Sequence, residues 1–262
     1  MKYSNKGFIF TGCSFTWGYG LNYYYSFTKD NGEFYGNISQ LEPKPAILFQ
    51  YCKRFSNKVA NHYNTFHIQP DRVSGSDVVN IEWLEYFLKK DWDSENVDYS
   101  FFKSSDFHTL IFQTSYLDRS MEIIWEKLTN RDNEYFNSYE ELVEEIGNDE
   151  EERNYYSDQI FEIVSKMLID ICKKFESLGI TVYFIHATDI YEHTDYIKER
   201  TIKISHKEKE YFCINNISDD DSSAIIALDF DNFKGTPPDD LHPSLKVHES
   251  IYKSILNKLD ND

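Results

Sequence analysis

The sequence predicts a three-layer α/β/α sandwich with a mostly parallel central sheet, and two observations predict this fold class. Short apolar runs without polar alternation, such as residues 7–11 and 180–185, are typical of strands that are covered on both faces. Segments with apolar residues three or four positions apart lie between these runs. Helices that alternate with such strands indicate a sheet packed between two helical layers.

The elements of the first half follow from local patterns. Residues 7–11 predict the first strand, which ends at the turn Gly12-Cys13-Ser14, and the aromatic stretch that follows is predicted to be a loop. Helical spacing predicts a helix from Pro45 through Val59, and a brief strand is expected over 65–68 after a turn at 61–64. A second helix spans 78–88 with Ser76 or Asp77 as its N-cap, and residues 107–112 predict a third strand.

The second half continues the alternation. Residues 120–154 are strongly acidic and are interpreted as an insertion of short surface helices. The clearest helix runs over 160–178 and stops at Gly179, where a left-handed cap is easiest, and a strand over 180–185 follows. A polar stretch leads to a strand at 224–228 and a loop at 234–238, and the last helix runs from Pro243 through 259.

Length and charge narrow the class of protein. The 262 residues suffice for one large domain, and we expect a single domain over residues 1–262. The formal net charge of −18 comes from 27 basic and 45 acidic side chains. Because such a surface repels phosphate backbones and anionic headgroups, we expect neither a nucleic acid nor a membrane as a partner. The oligomeric state is left open.

We expect a cytoplasmic protein, because the sequence shows no pattern of a signal peptide or membrane span and its cysteines lack the spacing of paired thiols. No run approaches 18 uninterrupted apolar residues, and the apolar run at 7–10 is shorter than a signal peptide requires. The four cysteines lack CxxC spacing and are interpreted as reduced thiols: Cys13, Cys52, Cys172 and Cys213. The scarcity of alanine beside many Asn, Lys, Ile, Tyr and Phe residues is typical of an AT-rich coding genome, viral or bacterial.

Two short motifs carry chemistry at predicted strand ends, where parallel sheets bind their ligands. Ser14 lies on a turn between glycines, which suits an exposed hydroxyl and a backbone N–H that faces an oxyanion. Asp239 stands three residues before His242, immediately before a helix, so that the carboxylate can orient an imidazole that takes the serine proton. An ordinary turn serine and a solvated acidic turn with a capping histidine are the alternatives.

Together these motifs resemble the SGNH (GDSL-like) hydrolase family, whose members carry a nucleophilic serine after the first strand and Asp-x-x-His near the C-terminus. The resemblance implies a flavodoxin-like topology, with Ser14 as the nucleophile, His242 as the general base and Asp239 as its orienting partner. It also implies that Gly75, after the second strand, contributes a backbone N–H to an oxyanion hole together with Ser14.

The third block departs from the family pattern Gly-x-Asn-Asp. This chain has Gln113-Thr114-Ser115-Tyr116 at that place, with Ser115 where the family has Asn. The Ser115 hydroxyl and the Gln113 amide are the candidate replacements, and one oxyanion donor is worth about 10²–10³ in rate. Cys13 also stands where the family usually has Asp.

Rival sites are less favoured. A Cys13 nucleophile would point away from the side of Ser14, and a buried thiol is the commoner state. The histidines of the central region, His186, His193 and His206, lack metal-ligand spacing, so no metal and no cofactor is expected. The aromatic residues after Ser14 suggest a platform for sugar faces, although core packing explains most aromatic residues of the chain.

The sequence therefore predicts a serine esterase that works through an acyl-enzyme. The resemblance implies a small-molecule or carbohydrate ester as substrate, with an O-acetyl ester as the expected class. One alternative is an O-acyltransferase on the same triad. Another is a catalytically weak or inactive SGNH-fold protein that binds glycan or has a structural role, motivated by the missing Asn and the acidic insertion.

Overall fold

A computed structural model describes residues 6–13, 16, 52–70, 76–89, 102–117, 119–120, 123–124, 150–217 and 243–262. Several predicted features lie outside these residues: the loop after Ser14 apart from Thr16, most of the acidic insertion, the strand at 224–228 and the loop at 234–238.

The central sheet has four parallel strands in the described part of the chain. They are β1 (Gly7–Thr11), β2 (His67–Ile68), β3 (Phe107–Thr114) and β4 (Thr181–His186), in the order β2-β1-β3-β4. Phe8 pairs with His67 on one side and Thr109 on the other, and Thr109 pairs with Thr181. This order agrees with the first four strands of a flavodoxin-like sheet.

Helices cover both faces of the sheet. They are α1 (Phe55–His62), α2 (Asp77–Lys89), α3 (Glu150–Ser177), the short α4 (Asp195–Glu199) and α5 (Leu245–Asn261). Successive strand residues point to opposite faces: Phe8 and Phe10 belong to the core with α1 and α5, whereas Ile9 belongs to the core with α2 and α3. The predicted three-layer α/β/α architecture is confirmed.

Burial on both faces explains the apolar runs of the strands. Phe8, Ile9 and Phe10 are all fully buried, so no position of β1 between its ends faces water. At the end of α3, Gly179 has a φ of +79°, in agreement with the predicted left-handed cap. Ser244 caps α5, since its hydroxyl accepts a hydrogen bond from the Val247 N–H.

The polar stretch after β4 contains structure that the sequence pattern did not predict. Besides α4, it forms an antiparallel hairpin of β5 (Ile204–His206) and β6 (Lys209–Tyr211). The hairpin turn places Lys207 and Glu208 at φ values of +46° and +64°. Such positive angles are usually signalled by Gly, Asn or Asp, and this turn has none of them.

Two local expectations differ from the structure in smaller ways. β2 contains only His67 and Ile68, and α1 continues to His62, into the segment expected to turn.

The four thiols are free, but Cys52 is exposed whereas Cys13, Cys172 and Cys213 are buried. None of the helices within the described ranges combines the length and apolar character that a membrane span needs.

Candidate functional site

The predicted site residues Ser14, Gly75, Asp239 and His242 lie outside the described residues, whereas Ser115 lies within them. Residues next to Ser14 and Gly75, and the residues that follow His242, are described and lie at the carboxyl edge of the sheet. These neighbours are Gly12, Cys13 and Thr16 after β1, Ser76 and Asp77 at the start of α2, residues 113–116 after β3, and Ser244 at the start of α5.

Gly12 allows the backbone after β1 to turn while it lies close to the side chain of Gln113 in β3. Its φ is +155°, and a Cβ atom built on it would approach Gln113 Cβ to 2.7 Å and would also contact Thr16 Oγ1. Its N–H donates to Asn80 Oδ1 on α2 over 3.3 Å. Glycine at this position therefore lets the backbone next to Ser14 lie against the side chains of β3 and α2.

The buried side chain of Gln113, at the carboxyl end of β3, holds the turn after β1. Its Oε1 accepts from the Thr16 N–H (3.1 Å) and the Thr16 hydroxyl (2.9 Å). Its Nε2 donates to the Thr114 carbonyl (2.7 Å) and lies 3.3 Å from Cys13 Sγ. Because these contacts occupy the amide N–H groups of Gln113, the Ser115 hydroxyl remains the candidate replacement for the missing Asn.

Asp77 connects the start of α2 to the segments that follow β3 and β4. Its Oδ1 accepts from the Ser115 N–H over 2.7 Å, and its Oδ2 accepts from the Tyr191 hydroxyl over 2.8 Å. Burial raises the pKa of Asp77 from 3.8 to about 6, while the hydrogen bonds from Tyr191 and Ser115 oppose that rise. The helix start is thereby tied to the segment that carries Ser115.

The Ser115 hydroxyl is the candidate oxyanion donor after β3. Ser115 is fully buried, and its Oγ has no hydrogen-bond partner among the described residues. A buried hydroxyl without a partner is costly and calls for an explanation, and a catalytic role is one of the explanations. Its position next to Asp77, the first residue of α2, agrees with a role as an oxyanion donor together with the predicted Gly75 N–H.

The burial of Asp77 predicts a pH-dependent stability. The unfolded chain loses this proton near pH 3.8 and the folded chain near pH 6, so the folded state binds more protons between these values. Stability from this group is therefore present at low pH and is lost as pH rises through 6. We compare the free energies of unfolding of the wild type and Asp77→Asn. The wild type should lose about 2 kcal/mol relative to the variant between pH 4.5 and 7.5. Urea unfolding at both pH values measures this difference, and an unchanged difference would contradict the raised pKa.

The start of α5 lies at the same edge as the end of β1. Near the amino end of β1, Phe8 packs on Tyr63 just after α1 (ring centroids 5.7 Å apart), and the Tyr63 hydroxyl donates to Asp260 near the end of α5. Near the carboxyl end of β1, Phe10 packs on Phe55 at the start of α1 (6.1 Å), and Phe55 stacks on His248 in the first turn of α5 (5.7 Å). Helices α1 and α5 therefore run antiparallel to β1, and α5 begins at the carboxyl edge.

His186, at the carboxyl end of β4, has a structural environment. Its ring nitrogens lie 2.9 Å from the hydroxyls of Thr114 and Thr201, and the Thr201 hydroxyl donates to the Ile197 carbonyl. Thr201 therefore accepts from Nε2–H, and Thr114 donates to Nδ1. Burial lowers the pKa of His186 to about 3, so the ring is neutral. Across the described ranges, no cluster of His, Cys, Asp or Glu side chains has the arrangement of a metal site.

Comparisons with known proteins identify no relative of this chain. No protein-family model matches the sequence, and no curated protein and no solved structure matches it.

Sequence reasoning missed several polar residues that organise the edge. Asn80 and Tyr191 are buried and bonded to Gly12 and Asp77, yet nothing in their local pattern indicated this. The sequence pattern indicates Asp77 only as a possible cap, and in the structure Ser76 is the residue whose hydroxyl accepts from the Val79 N–H. One signal was available: Asp77 and Asn80 are three residues apart, so their side chains share one face of α2. In the structure this face contacts Gly12 after β1 and Ser115 after β3.

Proposed function

We propose that this protein is a serine esterase of the SGNH type, with an O-acetyl ester on a carbohydrate as its substrate class. One observation carries the proposal: the strand that leads to Ser14 ends at the sheet edge where the helix that follows His242 begins. Chain segments more than 200 residues apart in sequence thus approach each other where parallel sheets bind ligands.

The order of strands and the polar groups at the edge support the same proposal. The order β2-β1-β3-β4 brings the ends of β1 and β3 side by side, so Ser115 follows a strand adjacent to the one that precedes Ser14. The buried Ser115 hydroxyl without a partner and the start of α2 lie together there. A hydroxyl donor and a helix N-terminus stabilise negative charge on an ester oxygen.

The reaction follows the usual order for a serine nucleophile. His242 removes the proton of the Ser14 hydroxyl while its oxygen attacks the ester carbonyl, and Asp239 orients the imidazole. The oxyanion that forms accepts hydrogen bonds from the Ser14 N–H, the Gly75 N–H and the Ser115 hydroxyl. The C–O bond of the ester then breaks, and His242 returns the proton to the leaving alcohol. Water attacks the acyl-enzyme in the same way and releases the acid and free Ser14.

Labelling with a fluorophosphonate tests the proposal without knowledge of the substrate. An activated serine displaces fluoride and gives one adduct per chain, which intact mass and peptide mapping assign to Ser14. We expect Ser14→Ala and His242→Ala to abolish the adduct, and the exposed His193→Ala to label like the wild type. Absence of the adduct in folded wild-type protein would overturn the proposal and favour a glycan-binding or structural role.

Product analysis separates hydrolysis from acyl transfer. A protein that labels on Ser14 is incubated with an acetyl ester in the presence and absence of a sugar acceptor. If the same amount of acetate is released with and without the acceptor, the result supports the esterase. Formation of an acetylated sugar at the expense of acetate would contradict hydrolysis and support the transferase, which differs only in the group that accepts the acyl chain.

We also expect the rate of ester hydrolysis to rise with pH between 5 and 8, because the base must be a neutral imidazole. Asp77 titrates in part of the same window, so the profile is measured in the wild type and in Asp77→Asn. The rise should persist in that variant if His242 causes it. A flat profile in an active preparation would contradict the assignment of the general base.

A further inference from the structure

The end of β3 is linked by one side chain to both sides of the predicted nucleophile. Gln113 Oε1 accepts from the N–H and the hydroxyl of Thr16, two residues after Ser14. Gln113 Nε2 lies 3.3 Å from the sulfur of Cys13, the residue before Ser14. These contacts span 97 and 100 positions of sequence, so the turn is attached to the sheet by a tertiary contact.

The orientation of this amide is determined by backbone groups. The Thr16 N–H is only a donor and the Thr114 carbonyl is only an acceptor, so Oε1 must face the first and Nε2 the second. Gln113 is fully buried, as is Thr114, and Thr16 is nearly so. Water therefore has little access to replace these bonds, and a side chain that cannot make them leaves buried polar groups without partners.

We propose that Gln113 is a positioning residue: its side-chain amide holds Cys13 and Thr16, and thereby orients Ser14 for attack. The inference rests on the proposed esterase function. Gln113 does not touch the substrate, because its amide groups already contact the chain. Asn80 holds the same turn from α2, through the Gly12 N–H, so the turn is fixed from two neighbouring elements. Such fixation matters because a displacement of about 1 Å can cost about 10²-fold in rate.

Two variants of Gln113 test this role. Gln113→Ala removes all the bonds and is expected to lower the second-order rate constant of fluorophosphonate labelling by about 10- to 100-fold. Gln113→Glu retains acceptors for Thr16, but its ionised carboxylate faces the Thr114 carbonyl, which accepts from Nε2 over 2.7 Å in the wild type. When protonated, the same carboxyl can donate to that carbonyl. The rate of Gln113→Glu relative to the wild type should therefore recover as pH falls from 8 to 5.

Gln69 provides a matched control. It is also a buried glutamine, it directly follows β2, and its Oε1 accepts from the Ser56 hydroxyl on α1 over 3.0 Å. Gln69→Ala is expected to destabilise the fold through the lost bond while leaving the labelling rate within about twofold of the wild type. Thermal unfolding of each variant shows that labelling is measured on folded protein.

Hydrogen exchange of the peptide covering residues 11–17 separates this inference from the proposed function. We expect faster exchange there in Gln113→Ala and Gln113→Glu than in Gln69→Ala, together with slower labelling. A labelled wild type with an unchanged rate in folded Gln113→Ala and Gln113→Glu would overturn the role of Gln113 alone. An unlabelled wild type would overturn the esterase and the positioning role together, and the exchange would then report a purely structural contact.

Discussion

Ser14→Ala is expected to lower kcat/KM for an acetyl ester by about 10⁴-fold or more, because no other group in the predicted triad can form the acyl-enzyme. Binding groups and oxyanion donors persist in this variant, so some acceleration over water remains. The measurement is hydrolysis of p-nitrophenyl acetate or an acetylated sugar by wild type and variant, with protein folding checked by circular dichroism. Ser177→Ala, which removes an exposed hydroxyl at the end of α3, is the control and should be fully active.

The size of the effect distinguishes the nucleophile from a turn serine. A hydroxyl that only completes the turn after β1 would change stability by about 1 kcal/mol, and hydrolysis by the folded variant would be nearly unchanged. If Ser14→Ala retained more than a tenth of the activity, another nucleophile would have to be sought. Cys13 would be tested first, since it is the adjacent residue and carries a free thiol.

Gly12→Ala is expected to lower the free energy of unfolding by about 4 kcal/mol, from backbone strain and from overpacking at the same position. The φ of +155° is one that side-chain-bearing residues rarely adopt, and the new Cβ would lie 2.7 Å from Gln113 Cβ and 2.8 Å from its Oε1. It would also contact Thr16 Oγ1 and so separate Thr16 from Gln113. We therefore expect labelling of Ser14 to slow as well. Urea unfolding and the labelling rate measure the two effects.

Gly179→Ala is the control for backbone conformation alone. Gly179 has a φ of +79°, and a Cβ atom there meets nothing within 4 Å. The expected loss is about 1–2 kcal/mol from the left-handed conformation, without an effect on labelling. Equal losses in the two variants would contradict the argument that steric contact with Gln113 and Thr16 makes Gly12 necessary.

Much of the fold could be predicted from local pattern. The runs at 7–11, 107–112 and 180–185 correspond to β1, β3 and β4, and the long helix that stops before Gly179 corresponds to the described α3. These predictions are correct because the strands are buried on both faces and read as uninterrupted apolar segments. The hairpin of β5 and β6 was missed because its short strands carry little apolar pattern and its turn contains Lys207 and Glu208.

The candidate site could be predicted only in part. The expected positions of Ser14 and Ser115 after neighbouring strands follow from strand order, and Ser115 lies as expected after β3. The roles of Asp77, Asn80, Gln113 and Tyr191 could not be inferred, because each bonds to a residue far away in sequence. A buried polar residue in a short apolar segment has the same local pattern whether or not a partner reaches it.

By itself, the sequence determined the parallel α/β class and the strand ends at which Ser14 and Ser115 stand, because burial on two faces and helical spacing are local properties of a chain. Only the tertiary structure decided which polar groups meet there. It brought Gln113 to Thr16 and Asp77 to Tyr191, pairs separated by 97 and 114 positions. It also brought the start of α5 to the edge where β1 ends. The physical reason is that a buried amide or carboxylate needs partners, and distant segments supply them only when the layers pack together.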